Sequence, residues 1–283
     1  MTDAQLEGLL VESPEEVLQL EHWIYGASPE KGYGTKAESM GLNGPLYQRY
    51  LGSHMTPVRV EKTASGSTVI DARMIHPAPA NDEVLLSILG RGVADEYNRP
   101  TIQNHTVVLP GKLLRAGRLS FTMAEGAILD YDRRVPKASG RIEPLSLRLP
   151  PESAPRENPG TGIRRFITKA AVDTLVSRFL ADGHGRTLLL CRGSTHQYRN
   201  ELLYKLVELL SAGGEIPQFT AISDAPTLSA MNHFRLAISS RGVRADGTWT
   251  LLDASIDRAT LQPIRGRAPV YSRVAEAFGN VSP

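Results

Sequence analysis

The chain has 283 residues, of which 41% are hydrophobic and 22% are charged, fractions that are ordinary for a globular protein. Its formal net charge of +2 is too small to predict nucleic-acid or anionic-membrane binding from bulk charge. Cys191 is the only cysteine in the sequence, which excludes an intrachain disulfide framework and a cysteine-rich zinc site.

The N-terminal segment, 1–21, is acidic and lacks the basic start of a secretory signal, so we predict a cytoplasmic protein. Ser13 precedes Pro14, and two glutamates follow, which is the pattern of a helix N-cap, a proline in the first turn and favourable acidic charge. The apolar residues that follow, up to Leu20, extend this predicted helix. It either packs on its own domain or forms an arm that docks on a partner.

The first predicted strand is His22–Tyr25, which is aromatic and β-branched. A loop is predicted over Ala27–Thr35, where glycine, proline and lysine occur together. Within it, Tyr33 is flanked by Gly32 and Gly34, and paired glycines tolerate backbone conformations that other residues avoid. We predict that these three residues form an exposed tip at which the aromatic ring contacts a protein partner.

More strands are predicted in the first half from alternating and β-branched residues. They are Val58–Lys62, Ser67–His76 and Asn104–Leu109, whereas Glu83–Leu89 and Leu119–Met123 fit either a strand or a helix. We expect the first strand to lie beside Asn104–Leu109. Prolines and glycines then become frequent, and Ile142–Leu149 is the one stretch there that fits an edge strand.

The second half alternates between helical and strand patterns, as in βαβ crossovers. The predicted elements are helices at Arg164–Ala181, Thr195–Leu210 and Pro269–Phe278, and strands at Arg186–Cys191, Phe219–Ile222, Phe234–Ser239 and Trp249–Ala254, with a turn at 245–247 between the last two. The sequence therefore predicts an α/β fold, mixed α+β in its first half. We predict a strand-rich domain at 1–140, a Pro/Gly-rich connection at 141–162 and a smaller α/β domain at 163–283.

A candidate ligand site follows the buried strand at 186–191, where the chain enters a helix. Backbone N–H groups at a helix N-terminus favour an anion, and ligands of α/β folds gather at the carboxyl ends of strands. The candidate anion- or nucleotide-binding residues are Arg192, Gly193, Ser194, Thr195, His196 and Arg199. The alternative is that Ser194 or Thr195 only caps the helix.

His105 lies inside a predicted strand, and a ligand or catalytic role for it would require nearby partners. The loop before it offers Asp95, Glu96 and Arg99, while the alternative is a buried, hydrogen-bonded histidine within the sheet. The sequence contains no His-x₃-His pair and no Gly-x-Ser-x-Gly motif. We therefore predict no metal, no cofactor and no catalytic residue.

Several motifs of the first half occur in an order that resembles a known module. Tyr25-Gly26 ends a strand, Gly32-Tyr33-Gly34 follows, and Asn98-Arg99-Pro100 leads to a His105-Thr106 strand. This order resembles the N-terminal module of bacterial GTPase-associated proteins, and the likeness extends over residues 22–225. The resemblance implies an accessory component of a GTPase-containing system, of the kind found in prokaryotic conflict and defence, with no known catalysis.

From this resemblance we expect a non-enzymatic adaptor or recognition subunit that binds a protein partner, such as a GTPase, in a multi-component assembly. The predicted partner-binding residues are Gly32, Tyr33, Gly34, Arg99 and His105. Two alternatives stay open: a nucleotide-sensing or hydrolytic enzyme that uses residues 191–199, and a nucleic-acid-binding subunit that uses the scattered arginines.

Overall fold

A computed structural model describes most of the middle of the chain. The described residues are 16–28, 32–42, 71–78, 82–91, 101–152, 154, 162–163, 166–167, 169–181, 186–211, 220–224, 234–240 and 249–253. The predicted elements at Val58–Lys62 and Pro269–Phe278 lie outside them, as do Asp95, Glu96 and Arg99.

Within these residues the chain forms twelve strands and four α-helices. The strands are β1 (Val17–Leu20), β2 (His22–Ser28), β3 (Gly32–Ser39), β4 (Ala72–Pro77), β5 (Glu83–Arg91), β6 (Ile102–Pro110), β7 (Gly140–Ile142), β8 (Leu145–Arg148), β9 (Arg186–Leu190), β10 (Ala221–Ile222), β11 (Leu236–Ser239) and β12 (Trp249–Asp253). The helices are α1 (Gly111–Arg115), α2 (Phe121–Arg134), α3 (Lys169–Ala181) and α4 (His196–Ser211), and Met40–Leu42 forms a 3₁₀ turn. No helix in the described ranges is long and apolar enough to cross a membrane.

Ten of the strands form one mixed sheet in the order β12-β9-β11-β10-β4-β5-β6-β2-β3-β7. The four strands of the second half are parallel to one another, whereas β4, β5, β6, β2 and β3 are antiparallel. The two groups meet where β10 pairs antiparallel with β4, with Ala221 opposite Ile75. The predicted fold class is confirmed, and one continuous sheet runs through both halves of the chain.

The two faces of the sheet bury different sets of apolar residues, because side chains alternate along each strand. One face packs against α2, α3 and α4 in the main core cluster, to which Phe121, Val172 and Leu206 contribute. Phe121 of α2 stacks on Tyr204 of α4, with ring centroids 5.6 Å apart. The opposite face is buried in smaller clusters, one of which is centred on Trp23.

The prediction of a helix that reaches Leu20 is wrong for its described part, because Val17–Leu20 is strand β1. This strand pairs antiparallel with β8 in a separate two-stranded sheet. Burial alternates along the strand, with Leu18 partly buried and Leu20 fully buried. Pairing with β8 has thus overridden the helical preference predicted for Val17–Leu20.

A further prediction needs correction. Much of the predicted loop at Ala27–Thr35 is strand, since β2 extends to Ser28 and β3 begins at Gly32. The turn predicted at 245–247 lies outside the described residues, and the strands before and after it, β11 and β12, both pair in parallel with β9.

Candidate functional site

The carboxyl edge of the parallel strands gathers polar residues from three elements. β9, β10 and β11 end there, and β4 begins there because it is antiparallel to β10. Asp224 follows β10, Asp71 precedes β4, and His196 opens α4. The side chains of His196 and Asp71 are each 41% exposed, so this edge is open to solvent.

Arg199 lies behind this opening with its side chain only 3% exposed. Its guanidinium donates to the carbonyl oxygen of Ser194 at 2.6 Å and to Asp224 Oδ2 at 3.0 Å. Asp224 Oδ2 also lies 3.3 Å from His196 Nδ1. Most of the donors of Arg199 therefore bind groups of the protein itself, and its charge is balanced by a carboxylate.

The loop that leads into α4 contains a helix cap, which was the alternative to an anion-binding site. Thr195 Oγ1 accepts a hydrogen bond from the backbone N–H of Tyr198 at 3.2 Å, so Thr195 caps the helix. Ser194 Oγ donates to the carbonyl oxygen of Cys191 at 2.6 Å. Gly193 has a positive φ of 71°, which suits a turn between strand and helix. The structure brings the predicted anion-site residues together, while ligand binding there stays a prediction.

A second polar cluster lies deeper, between β4, α2 and α4. Arg73 pairs with Asp71 and donates from Nε to Glu125 Oε1 at 2.6 Å. Tyr204 is buried beside this ion pair, and burial together with the negative charge of Glu125 raises the pKa of its phenol well above the usual value. This cluster joins two helices to the sheet.

The third cluster is a chain of hydrogen bonds through two buried histidines. His105 Nδ1 lies 2.8 Å from Asp132 Oδ1 on α2, and His105 Nε2 lies 2.7 Å from His22 Nδ1 on the neighbouring strand. His22 Nε2 lies 2.8 Å from the carbonyl oxygen of Glu143. Tyr131 contacts both imidazoles edge-on, with ring centroids 4.8 and 5.7 Å away.

The direction of each bond in this chain follows from the chemistry of its ends. Burial lowers the pKa of His22 from 6.5 to about 4, so this ring is neutral at pH 7. Its Nε2 carries the proton, because the carbonyl oxygen of Glu143 can only accept. His22 Nδ1 then accepts from His105, and the carboxylate of Asp132 accepts from the other nitrogen of His105. His105 therefore lies between two acceptors, Nδ1 of His22 and the carboxylate of Asp132.

The predicted partner-binding residues do not form one site among the described residues. Gly32 and Gly34 lie in β3, opposite Ser28 and Gly26 of β2, and Tyr33 lies between them opposite Ala27. Residues 29–31, between these two strands, lie outside the described residues, and the glycine-flanked tyrosine belongs to strand β3. Arg99 lies outside the described residues as well.

The prediction that His105 contacts a partner does not fit its position. The residue is 1% exposed, and it forms the buried, hydrogen-bonded histidine of the alternative interpretation. Its carboxylate partner among the described residues is Asp132. This pair is not evident from the sequence, because the two residues are 27 positions apart and the pattern at 119–123, where the helix that carries Asp132 begins, fits either a strand or a helix.

An exposed surface that the sequence motifs did not indicate lies where α2 ends and β7 begins. We define the basic edge surface as Arg133, Arg134, Val135, Lys137 and Arg141, all of which are exposed. Every exposed charged residue between 133 and 141 is basic. The sequence carries a signal for it, since this run contains four basic residues and no acidic one.

No protein-family model and no curated protein matches this chain. The resemblance to GTPase-associated proteins therefore stays a prediction. Across the ranges that the structure describes, no group of three or more His, Cys, Asp or Glu side chains is arranged to hold a metal ion. Functional inference rests on the three polar clusters and the basic edge surface.

Proposed function

We propose that the protein is a non-enzymatic recognition subunit that binds a protein partner in the cytoplasm. The resemblance at residues 22–225 suggests that the partner is a GTPase or another member of a multi-component system, in the context of prokaryotic defence. The observation that supports partner binding is the basic edge surface, which presents arginines around the exposed Val135.

The composition of this surface is that of an interface. Arginine is enriched in protein interfaces and in their energetic hot spots, and apolar side chains supply the water-excluded contact between them. The side chains of Arg133 and Arg134 are 77% and 67% exposed, and that of Val135 is 39% exposed in the intact fold. By contrast, the side chains of Arg73, His105 and Arg199 are buried and hydrogen-bonded, so these residues support the fold.

Purification of the tagged protein from its native host tests the proposal directly. We expect a defined protein to co-elute with the wild type, to be identified by mass spectrometry, and to keep its stoichiometry on rechromatography. A wild-type chain that elutes alone from cells that express its neighbouring genes would contradict the proposal.

A second candidate function, ligand binding at the carboxyl edge, is supported by the pair of His196 and Asp224. The carboxylate lies 3.3 Å from Nδ1 of a 41% exposed imidazole, an arrangement that orients a histidine for proton transfer or ligand contact. Thermal unfolding with GTP, ATP and cyclic nucleotides at millimolar concentration tests it. A micromolar ligand stabilises by several kcal/mol at about 1,000-fold excess over its Kd. Equal unfolding temperatures with and without nucleotide, for the wild type and for His196→Ala, would eliminate nucleotide binding.

A further inference from the structure

We infer that the basic edge surface is the docking site for an acidic, extended segment of the protein partner, which lies along β7. This inference rests on the proposed function and adds to it the place and the chemistry of the contact. Two observations point to an acidic, extended segment: the positive charge of the surface and its position at the edge of the large sheet.

The position favours an extended ligand. β7 pairs in parallel with β3, with Ala37 opposite Gly140 and Ser39 opposite Ile142, and it is the last strand of the sheet on this side among the described residues. Edge strands are the places where proteins receive extended segments, because main-chain pairing provides affinity and the flanking side chains provide selectivity. Gly140 is exposed, so an approaching backbone meets no side chain at this residue.

The charge balance favours an acidic ligand. Arg133 and Arg134 share one carboxylate, that of Asp130, at 3.5 and 3.0 Å. Such exposed pairs contribute little to stability, so the guanidiniums can exchange Asp130 for a carboxylate of a partner at little cost. Lys137 adds a third positive charge three residues further on. The surface thus keeps a surplus of positive charge that a glutamate- or aspartate-rich segment would neutralise.

Packing and hydrogen bonds hold the backbone under the surface. Ala138 is 7% exposed and packs with Ile24 and Ala37 of the neighbouring strands. The backbone N–H of Val135 donates to the carbonyl oxygen of Tyr131 at 2.8 Å and ends α2. Gly140 has a positive φ of 73°, which turns the chain into β7. These contacts fix the backbone that carries the basic residues, and such preorganisation reduces the entropy lost on binding.

A direct test uses a synthetic probe and needs no identified partner. An eight-residue peptide of alternating glutamate and valine is titrated into the wild-type protein and followed by fluorescence anisotropy, with a lysine–valine peptide as the control. We expect the acidic peptide to bind, with an affinity that falls at least tenfold between 50 and 200 mM salt, whereas the basic peptide does not bind. Absence of binding by the acidic peptide at millimolar concentration would overturn the inference.

Charge reversal assigns the binding to this surface. The triple variant Arg133→Glu, Arg134→Glu, Lys137→Glu should bind the acidic peptide at least tenfold more weakly than the wild type. Arg148→Glu is the control, because Arg148 is also exposed but lies on β8, in the separate two-stranded sheet. Circular dichroism confirms that each variant is folded. If the triple variant and the control bind the peptide equally well, the site is elsewhere and the inference is wrong.

The same variants separate the inference from the proposed function in host cells. Loss of the co-eluting protein from the triple variant, but not from Arg148→Glu, supports both. A partner that remains bound to the triple variant contradicts the inference alone, whereas peptide binding without any co-eluting protein contradicts the proposed function. Salt-dependent binding of duplex DNA that the triple variant loses, with the protein partner retained, would assign the surface to nucleic acid and overturn the inference.

Discussion

Acidification should destabilise this protein through His22, whose ring is buried against His105. Burial lowers its pKa in the folded chain from 6.5 to about 4, against an unfolded value near 6.5. The neutral ring fits the hydrogen-bond chain, since a proton on Nδ1 of His22 would face Nε2–H of His105 only 2.7 Å away. The carboxylates of Asp132 and Glu21 and the carbonyl oxygen of Glu143 oppose this shift but are outweighed by burial.

The size and sign of the effect follow from proton linkage. Between pH 6.5 and 4 the unfolded chain binds a proton at His22 that the folded chain does not, so the free energy of unfolding falls as the pH falls. A pKa difference of about 2.5 units corresponds to about 3 kcal/mol at 1.36 kcal/mol per unit. The contribution of His22 is complete above pH 6.5, declines through this window and levels off below pH 4.

Urea unfolding of the wild type and of His22→Asn at pH 7, 6, 5 and 4 measures this contribution. Asparagine does not titrate, and its amide oxygen can accept from His105, so the variant isolates the imidazole from the carboxylates that also titrate at low pH. We expect the free energy of unfolding of the wild type, relative to that of the variant, to fall by about 3 kcal/mol from pH 7 to pH 4. A difference between the two proteins that does not change with pH would refute this reasoning. If the variant does not fold, NMR titration of the His22 ring in the wild type measures the same pKa.

Two further predictions concern local backbone features. Thr195→Ala removes the acceptor for the N–H of Tyr198 and should cost about 1 kcal/mol in urea unfolding; a loss below 0.3 kcal/mol would show that Thr195 is not the effective cap. Alanine substitution at two glycines should have opposite signs. Gly140→Ala should destabilise by about 1 to 2 kcal/mol because φ is +73° there, whereas Gly126→Ala should stabilise by about 0.5 to 1 kcal/mol because Gly126 lies within α2 with open space around its Cβ position. Effects of the same sign would contradict this account.

The elements that sequence patterns predicted well are those whose apolar periodicity is strong. The helices at Lys169–Ala181 and His196–Ser211 keep apolar residues at helical spacing, and β9 is a continuous apolar run buried on both faces. The strand at Ile102–Pro110 was expected beside the first strand, and the structure pairs them, with Ile24 opposite His105. In these segments the burial pattern and local preference agree.

The contacts between distant elements could not be read from local patterns. β1 forms because Val17–Leu20 pairs with β8, which lies more than a hundred residues later in the chain. Its local sequence favours a helix instead. The hydrogen-bond chain of His105 joins residues 27 and 83 positions away. One sequence signal was available: if His22 lies on the strand beside 104–109, a suitable register brings the two histidines to the same face of the sheet.

A protein with a small net charge can still have a strongly basic local surface. The net charge of +2 argues against a strongly basic protein, yet the exposed charged residues from 133 to 141 are all basic. Acidic residues in other parts of the sequence, for example in the segment at 1–21, keep the total low. At physiological ionic strength, charges interact over about 8 Å, so a partner that approaches β7 senses the local arginines more than the total. Specific recognition of an acidic segment is therefore compatible with a nearly neutral protein, which limits non-specific attraction to the many polyanions of a cell.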